Sequence, residues 1–155
     1  MPEFRTTRHV AHSADEMYAL VADVEKYPEF VPFCERLDVR GRRKEGELEV
    51  LVADMTVGYR LVRETFTSKV TLDPEAREIR ADYLDGPFRT MENGWRFEPL
   101  PEGGSKISFR IQYEFRSRTL AVLMGAVFDR AFRAFAHAFE SRADQVYGKP
   151  APAGG

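Results

Sequence analysis

Ser105-Lys106-Ile107-Ser108-Phe109-Arg110-Ile111-Gln112-Tyr113-Glu114-Phe115-Arg116-Ser117 is the stretch where this chain changes its hydropathic period. Ile107, Phe109, Ile111, Tyr113 and Phe115 point one way, while Lys106, Ser108, Arg110, Gln112 and Glu114 point the other. That alternation predicts a strand with one dry face and one wet face. Ser117 is a good N-cap, and beyond it the apolar side chains recur at helical spacing. Phe128, Phe132, Phe135 and Phe139 form a stripe, joined on one broad face by Leu120, Leu123, Met124, Val127 and Ala131. Arg130, Arg133, His137 and Glu140 fall on the opposite face. The helix should run to about Tyr147, ~45 Å at 1.5 Å per residue. A helix this long suits a small sheet only if it lies along a concave side.

Working back from that junction, period two holds from residue 35 to 115. It predicts strands near 36–44, 46–57, 59–72, 77–84, 88–98 and 105–115. Lys44-Glu45-Gly46, Gly58, Asp73-Pro74, Asp85-Gly86-Pro87 and Pro101-Glu102-Gly103-Gly104 separate them. Residues 3–10 read as a first strand. Ser13-Ala14-Asp15-Glu16 is a capping box that opens a helix through about Ala22, with Met17, Leu20 and Val21 on its apolar side. The expected fold is α+β, a curved antiparallel sheet of six to seven strands around the C-terminal helix. Residues 1–148 read as a single domain without internal repeats, and 149–155 as a low-complexity, disordered tail.

Composition narrows the function. A chain of 155 residues with a net charge of −2 has no general nucleic-acid footprint, so DNA is not an expected partner. Cys34 is the single cysteine, which excludes an internal disulfide and a cysteine-rich zinc site. No apolar run reaches the ~20 residues that span a bilayer, and Met1-Pro2-Glu3-Phe4-Arg5 does not open a signal peptide. The expectation is a cytoplasmic protein, with any membrane contact peripheral and at the inner face.

Asp23-Val24-Glu25-Lys26-Tyr27-Pro28-Glu29-Phe30-Val31-Pro32-Phe33-Cys34 is an apolar segment braced by two prolines. Each proline fixes its own φ and pushes its predecessor toward extended geometry. Surface loops are normally polar, so this one must cover or touch something apolar. Two readings stand: a rim or lid on a greasy cavity, or a plug of the protein's own core.

The element order, with Val21-Ala22-Asp23-Val24 leading into Tyr27–Cys34, resembles the ubiquinone-binding branch of the START-domain, or helix-grip, superfamily. Glu64–Val70, Asp85-Gly86-Pro87-Phe88-Arg89, Trp95–Pro99 and Phe115–Arg118 carry the same likeness, which covers residues 3–147. The branch includes coenzyme-Q-binding respiratory proteins and RatA-type toxins that block ribosomal subunit association; polyketide cyclases are more distant. The resemblance implies a carrier or chaperone for ubiquinone, bound as a ligand, with no cofactor, no metal and no catalytic residues. A ribosome-binding toxin is the alternative, and a cyclase-like enzyme a third reading.

The implied ligand wall comprises Val24, Tyr27, Pro28, Phe30, Val31, Pro32 and Phe33, with Phe66, Arg89, Met91 and Trp95 from strands and Phe128, Phe132 and Phe135 from the helix. Polar residues on apolar parities are the sharper signal. Arg89 and Asn93 share the parity of Met91, Trp95 and Phe97; Glu64 and Ser68 share that of Val62, Phe66 and Val70. Buried polar groups cost ~1 to 3 kcal/mol each unless paired. Glu64 and Arg89 therefore pair structurally, serve a ligand's oxygens together with Asn93, or are turned to solvent by a bulge. Glu64 with Arg89 or Tyr83 is also the only acid–base pair available to an enzyme. His9 and His12 lack a metal-ligand partner set, Cys34 lacks a base, and His137 reads as a surface residue or a satisfied core histidine rather than a catalyst. The basic run Arg36, Arg40, Arg42, Arg43 and Lys44 reads as a solvated strand face or as a patch for rRNA or anionic lipid.

Overall fold

The computed structural model describes residues 3–148; the expected tail at 149–155 lies outside the described residues. Strand β1 (Glu3–Val10) is followed by helix α1 (Ala14–Ala22) and a 3-10 segment (Val24–Glu29). Strands β2 (Cys34–Glu45), β3 (Leu48–Tyr59), β4 (Val62–Asp73), β5 (Glu78–Asp85), β6 (Phe88–Pro99) and β7 (Ser105–Phe115) come next, and helix α2 (Arg118–Tyr147) ends the fold. The seven strands form one antiparallel sheet in the order β1-β7-β6-β5-β4-β3-β2, curved and unclosed. Strands β2 to β7 are a plain meander of hairpins, and β1 crosses to pair with β7, Phe4 opposite Ile111.

Local chemistry sets the boundaries. The Ser13 hydroxyl accepts from Glu16 N–H at 3.1 Å while the Glu16 carboxylate accepts from Ser13 N–H, which closes the capping box. Ser117 caps α2 by accepting from Leu120 N–H at 3.1 Å. Gly58, expected as a break, instead lies inside β3, and the chain turns at Arg60, φ 57°. A side chain at 58 would meet only the carboxylate end of the exposed Glu35 side chain, which is free to swing aside.

Helix α2 is fastened chiefly at its C-terminal half. Arg8 Nη2 meets Glu140 at 2.6 Å, the buried His12 imidazole meets Asp144 at 2.7 Å, and Arg142 reaches Glu29 at 2.8 Å. The Tyr147 hydroxyl donates to Glu16 C=O at 3.0 Å. Met124, Val127, Phe128, Ala131, Phe132, Phe139 and Ala143 are buried against the sheet and α1. Leu123, expected on that face, is 51% exposed. It sits about 100° around the helix from Met124, past the edge of the buried arc.

Candidate ligand-binding cavity

Helix α2 packs on β1, β7 and α1, so the concave faces of β3, β4 and β5 are left to line a cavity beneath it. Its volume is about 120 Å³. The walls are Ala53, Met55 and Val57 from β3, Phe66 and Val70 from β4, and Ile79 and Ala81 from β5. Phe88, Met91 and Trp95 of β6, Phe109 and Ile111 of β7, and Phe128, Ala131, Phe132, Phe135 and Phe139 of α2 complete the opposite side. Among the described residues, no Asp, Glu, Lys, Arg or His lines it.

The proline-braced segment closes the remaining side. Val24, Tyr27, Val31 and Pro32 face the cavity with Cys34 and Leu37. The Tyr27 hydroxyl donates to Val21 C=O at 2.5 Å, and burial pushes the phenol far above its ordinary range. Phe30 and Phe33 do not line the cavity; they clamp the segment in place. Phe30 packs edge-on against Phe139 at 5.0 Å and under the Arg142 guanidinium at 5.1 Å. Phe33 packs on Tyr59 at 5.5 Å, its carbonyl accepting from Gly58 N–H at 3.0 Å and its backbone at φ 66°. Pro28 is exposed. The segment is thus a wall, anchored to α2 at one end and to β3 at the other.

Two polar side chains interrupt the apolar lining. Asn93 donates from its amide to Arg110 C=O at 2.9 Å. Ser68, 6% exposed, has a buried hydroxyl with no hydrogen-bond partner. Its parity on β4 marks it in the sequence, but a serine is small enough to pass as filler, and only the orphaned oxygen makes it a site residue. Cys34 is the other ionisable group; burial pushes its thiol up to about 11, which keeps it protonated and unreactive.

Arg89 requires a correction. The pairing of β6 with β7 slips between Phe88 and Thr90, so Phe88 and Met91 both face inward and Arg89 is turned out to solvent. Alternation cannot register that extra residue. Glu64 keeps the inward parity opposite Val57 but is half-buried and lies beyond the lining, and among the described residues no ion pair joins it to Arg89. Phe66, Met91, Asn93, Trp95, Phe128, Phe132 and Phe135 all line the cavity.

The remaining polar candidates have structural surroundings. His12 belongs to the β1–α1 turn and to Asp144, and its carbonyl accepts from Ser105 Oγ at 2.9 Å. Among the described residues there is no cluster of three His, Cys, Asp or Glu. The arginines of the basic run are matched by carboxylates, Arg36 with Asp38 at 2.6 Å, Arg40 with Asp54 at 2.7 Å, Arg42 with Glu49 at 2.9 Å and with Glu25, and Arg43 with Glu45 at 2.7 Å, while Lys44 joins no ion pair among the described residues. No helix among the described residues is long and apolar enough to cross a membrane.

Comparison with known proteins agrees with this architecture. The chain is 36% identical over 140 residues to the ribosome association toxin RatA of Vibrio cholerae, covering 90% of this chain and 94% of that protein. It is 32% identical over 151 residues to the mitochondrial coenzyme Q-binding protein COQ10 homolog B of Xenopus laevis, covering 95% of this chain and 60% of that one. The solution structure of an 18 kDa protein from Caulobacter crescentus superposes with a TM-score of 0.80 at 34% identity, over 96% of this chain and all of that one. The sheet-around-helix arrangement is the START-like helix-grip fold. Because the sequence profile of polyketide cyclases, dehydrases and lipid transport proteins matches residues 10–140, the chain belongs to the polyketide cyclase / dehydrase and lipid transport family.

Proposed function

We propose that this protein binds an isoprenoid quinone of the ubiquinone class and acts as its carrier or chaperone in respiration or quinone biosynthesis. The observation that carries the reading is an apolar cavity whose lining holds one orphaned hydroxyl, Ser68 Oγ. A carbonyl oxygen on an otherwise apolar ring would satisfy that hydroxyl, and ligand pockets of this kind combine greasy walls with sparse, placed polar groups. The cavity volume is on the order of engineered cavities that admit benzene, ~150 Å³. A substituted quinone ring must therefore widen it, and a polyprenyl tail must leave through the side. The name and identity of the coenzyme Q-binding relative support the ring's class. Proton-transfer chemistry on a bound substrate finds little here, since among the described residues the ionisable groups of the lining are a thiol and a phenol that burial keeps neutral.

Protein purified from a ubiquinone-making host, extracted into organic solvent and analysed by mass spectrometry, should carry quinone enriched over phospholipid. Extracts matching those of a same-sized control protein would overturn the carrier reading.

A second reading rests on the higher identity to RatA along its whole length: a growth inhibitor acting on the ribosome through its surface. It predicts that overexpression shifts polysome profiles toward free subunits. The neutralised arginines of β2 offer such a surface little spare charge, and an unchanged sedimentation profile removes the idea.

A further inference from the structure

Four of the six exposed large apolar side chains among the described residues, and the arginines without a carboxylate partner, gather toward one end of the sheet. The strands place that end clearly: β2 and β4 begin there, β3 and β5 finish there, β6 begins there, and β7 delivers the chain to α2. Leu61 is 98% exposed at the β3–β4 tip, Leu84 54% exposed near the end of β5, and Val122 and Leu123 are 79% and 51% exposed in the first turns of α2. The opposite end is built from Lys44-Glu45-Gly46-Glu47, Asp73-Pro74-Glu75 and Pro101-Glu102-Gly103-Gly104, and its exposed large apolar side chains are those of the last helical turn, Val146 and Tyr147.

Charge follows the same division. Most described cations have a carboxylate within ion-pair distance; of those that have none, the four arginines Arg60, Arg89, Arg118 and Arg130 lie at this end or on the adjoining turns of α2, while Lys44 lies at the opposite end and Lys69 in the middle of β4. Arg60 instead lies over the Tyr59 ring at 5.2 Å. Arg89 is the residue the bulge in β6 turns outward, and Arg130 lies two turns beyond Leu123 on the same flank of α2. The carboxylates nearby are mostly engaged: Glu35 by Arg63 at 2.6 Å, Asp129 by Arg133 at 3.1 Å, and Asp85 by Arg116 at 3.9 Å. Glu64 and Glu114, both half-buried, remain. The end is therefore apolar at its tips and net positive between them.

We infer that this end docks on an anionic lipid bilayer, Leu61, Val122 and Leu123 entering the headgroup boundary and the four arginines meeting lipid phosphates. Neither element alone suffices: isolated apolar tips bind weakly, and each surface arginine adds attraction worth about fivefold in affinity at an anionic leaflet. The two together form the paired signal that stable peripheral attachment needs. The inference does not depend on what the cavity holds, because the docking residues lie outside its lining.

Flotation with vesicles of phosphatidylcholine alone, and of phosphatidylcholine with phosphatidylserine, tests this directly. The wild-type protein should float with the anionic vesicles only and be released by high salt. Leu61→Glu with Val122→Glu should weaken that binding by about tenfold or more. Arg60→Glu with Arg118→Glu should weaken it by at least roughly twenty-five-fold, fivefold for each arginine lost, with the added carboxylates repelling the surface further. Val146→Glu, at the far end, should leave it unchanged. All these side chains are exposed, so melting temperatures should stay near wild type. As a separate readout, an environment-sensitive dye on Leu61→Cys should shift to the blue on anionic vesicles, Cys34 being buried and slow to label. Failure of wild type to float, or equal binding by the variants, overturns the proposal. So does a result in which the protein ignores vesicles and the same arginine reversals abolish co-sedimentation with ribosomal subunits, which assigns the surface to the ribosome.

Discussion

Ser68 concentrates the argument at the scale of one residue. A buried hydroxyl without a partner costs on the order of 1 to 3 kcal/mol, and here nothing in the fold repays it. Ser68→Ala should raise the stability of the ligand-free protein by about 1 kcal/mol while weakening quinone binding. Thermal melts and a binding titration separate the two effects, and a loss of stability would show that the hydroxyl is already satisfied. Gly86 makes a backbone argument. At φ 143° it brings the β5–β6 turn onto β4, where an added Cβ would lie 2.7 Å from Phe66 Cβ and 2.9 Å from its Cα. Gly86→Ala should therefore destabilise by about 1 to 3 kcal/mol, read as a lowered Tm. Cys34 sits 6% exposed with its thiol pushed from about 9 to about 11. Above pH 9 the unfolded chain loses that proton before the folded one does, so this group makes stability fall as pH rises from 9 toward 11. At neutral pH it should label with iodoacetamide far more slowly than in urea. Arg89 shows the limit of reading single residues: its parity matched Met91 and Trp95, and one bulge in the backbone reversed its side.

At the scale of elements, the 24–33 segment and α2 behave as one unit. Phe30 is half-buried with one face on Phe139 and a guanidinium above it, whereas Phe139 is buried and meets Tyr27, Phe30 and Trp95. Phe139→Ala should cost about 3 to 5 kcal/mol, as for core aromatics, and Phe30→Ala about 1 to 2, because only part of its area is removed from water. Equal losses in denaturant melts would mean that the segment is core rather than wall. The Phe stripe was legible from spacing, as were both helix caps. That Arg8, His12 and Glu29 fasten the far half of α2 was not, since each pair joins residues more than a hundred positions apart.

At the scale of the whole molecule, the two sheet edges differ in how they are protected. β1 is held by α2 through Arg8, while β2 carries Arg36, Arg40, Arg42 and Arg43 along its length, a charged edge that discourages pairing with another chain. These pairs are largely exposed, so Arg40→Ala or Arg42→Ala should alter stability by less than about 1 kcal/mol in urea melts, and high salt should do no more. Concentration-dependent association of a variant with all four arginines neutralised would show that the edge charge is protective.

What the sequence by itself determined is the list of elements and their faces, because period two, period 3.6, caps and turn residues are local properties of a chain. The seven strands, the gripped helix and most of the cavity's aromatic wall follow from that list. Only the tertiary structure decided which polar groups enter the cavity and which leave it. A bulge ejected Arg89, and Glu64, near the start of β4, lies beyond the lining. The loose packing of α2 over β3 to β5 opened the space in which Ser68 is left without a partner. Such outcomes depend on where distant strands slip in register and on how closely a helix is drawn down, and neither is written in any short stretch of residues.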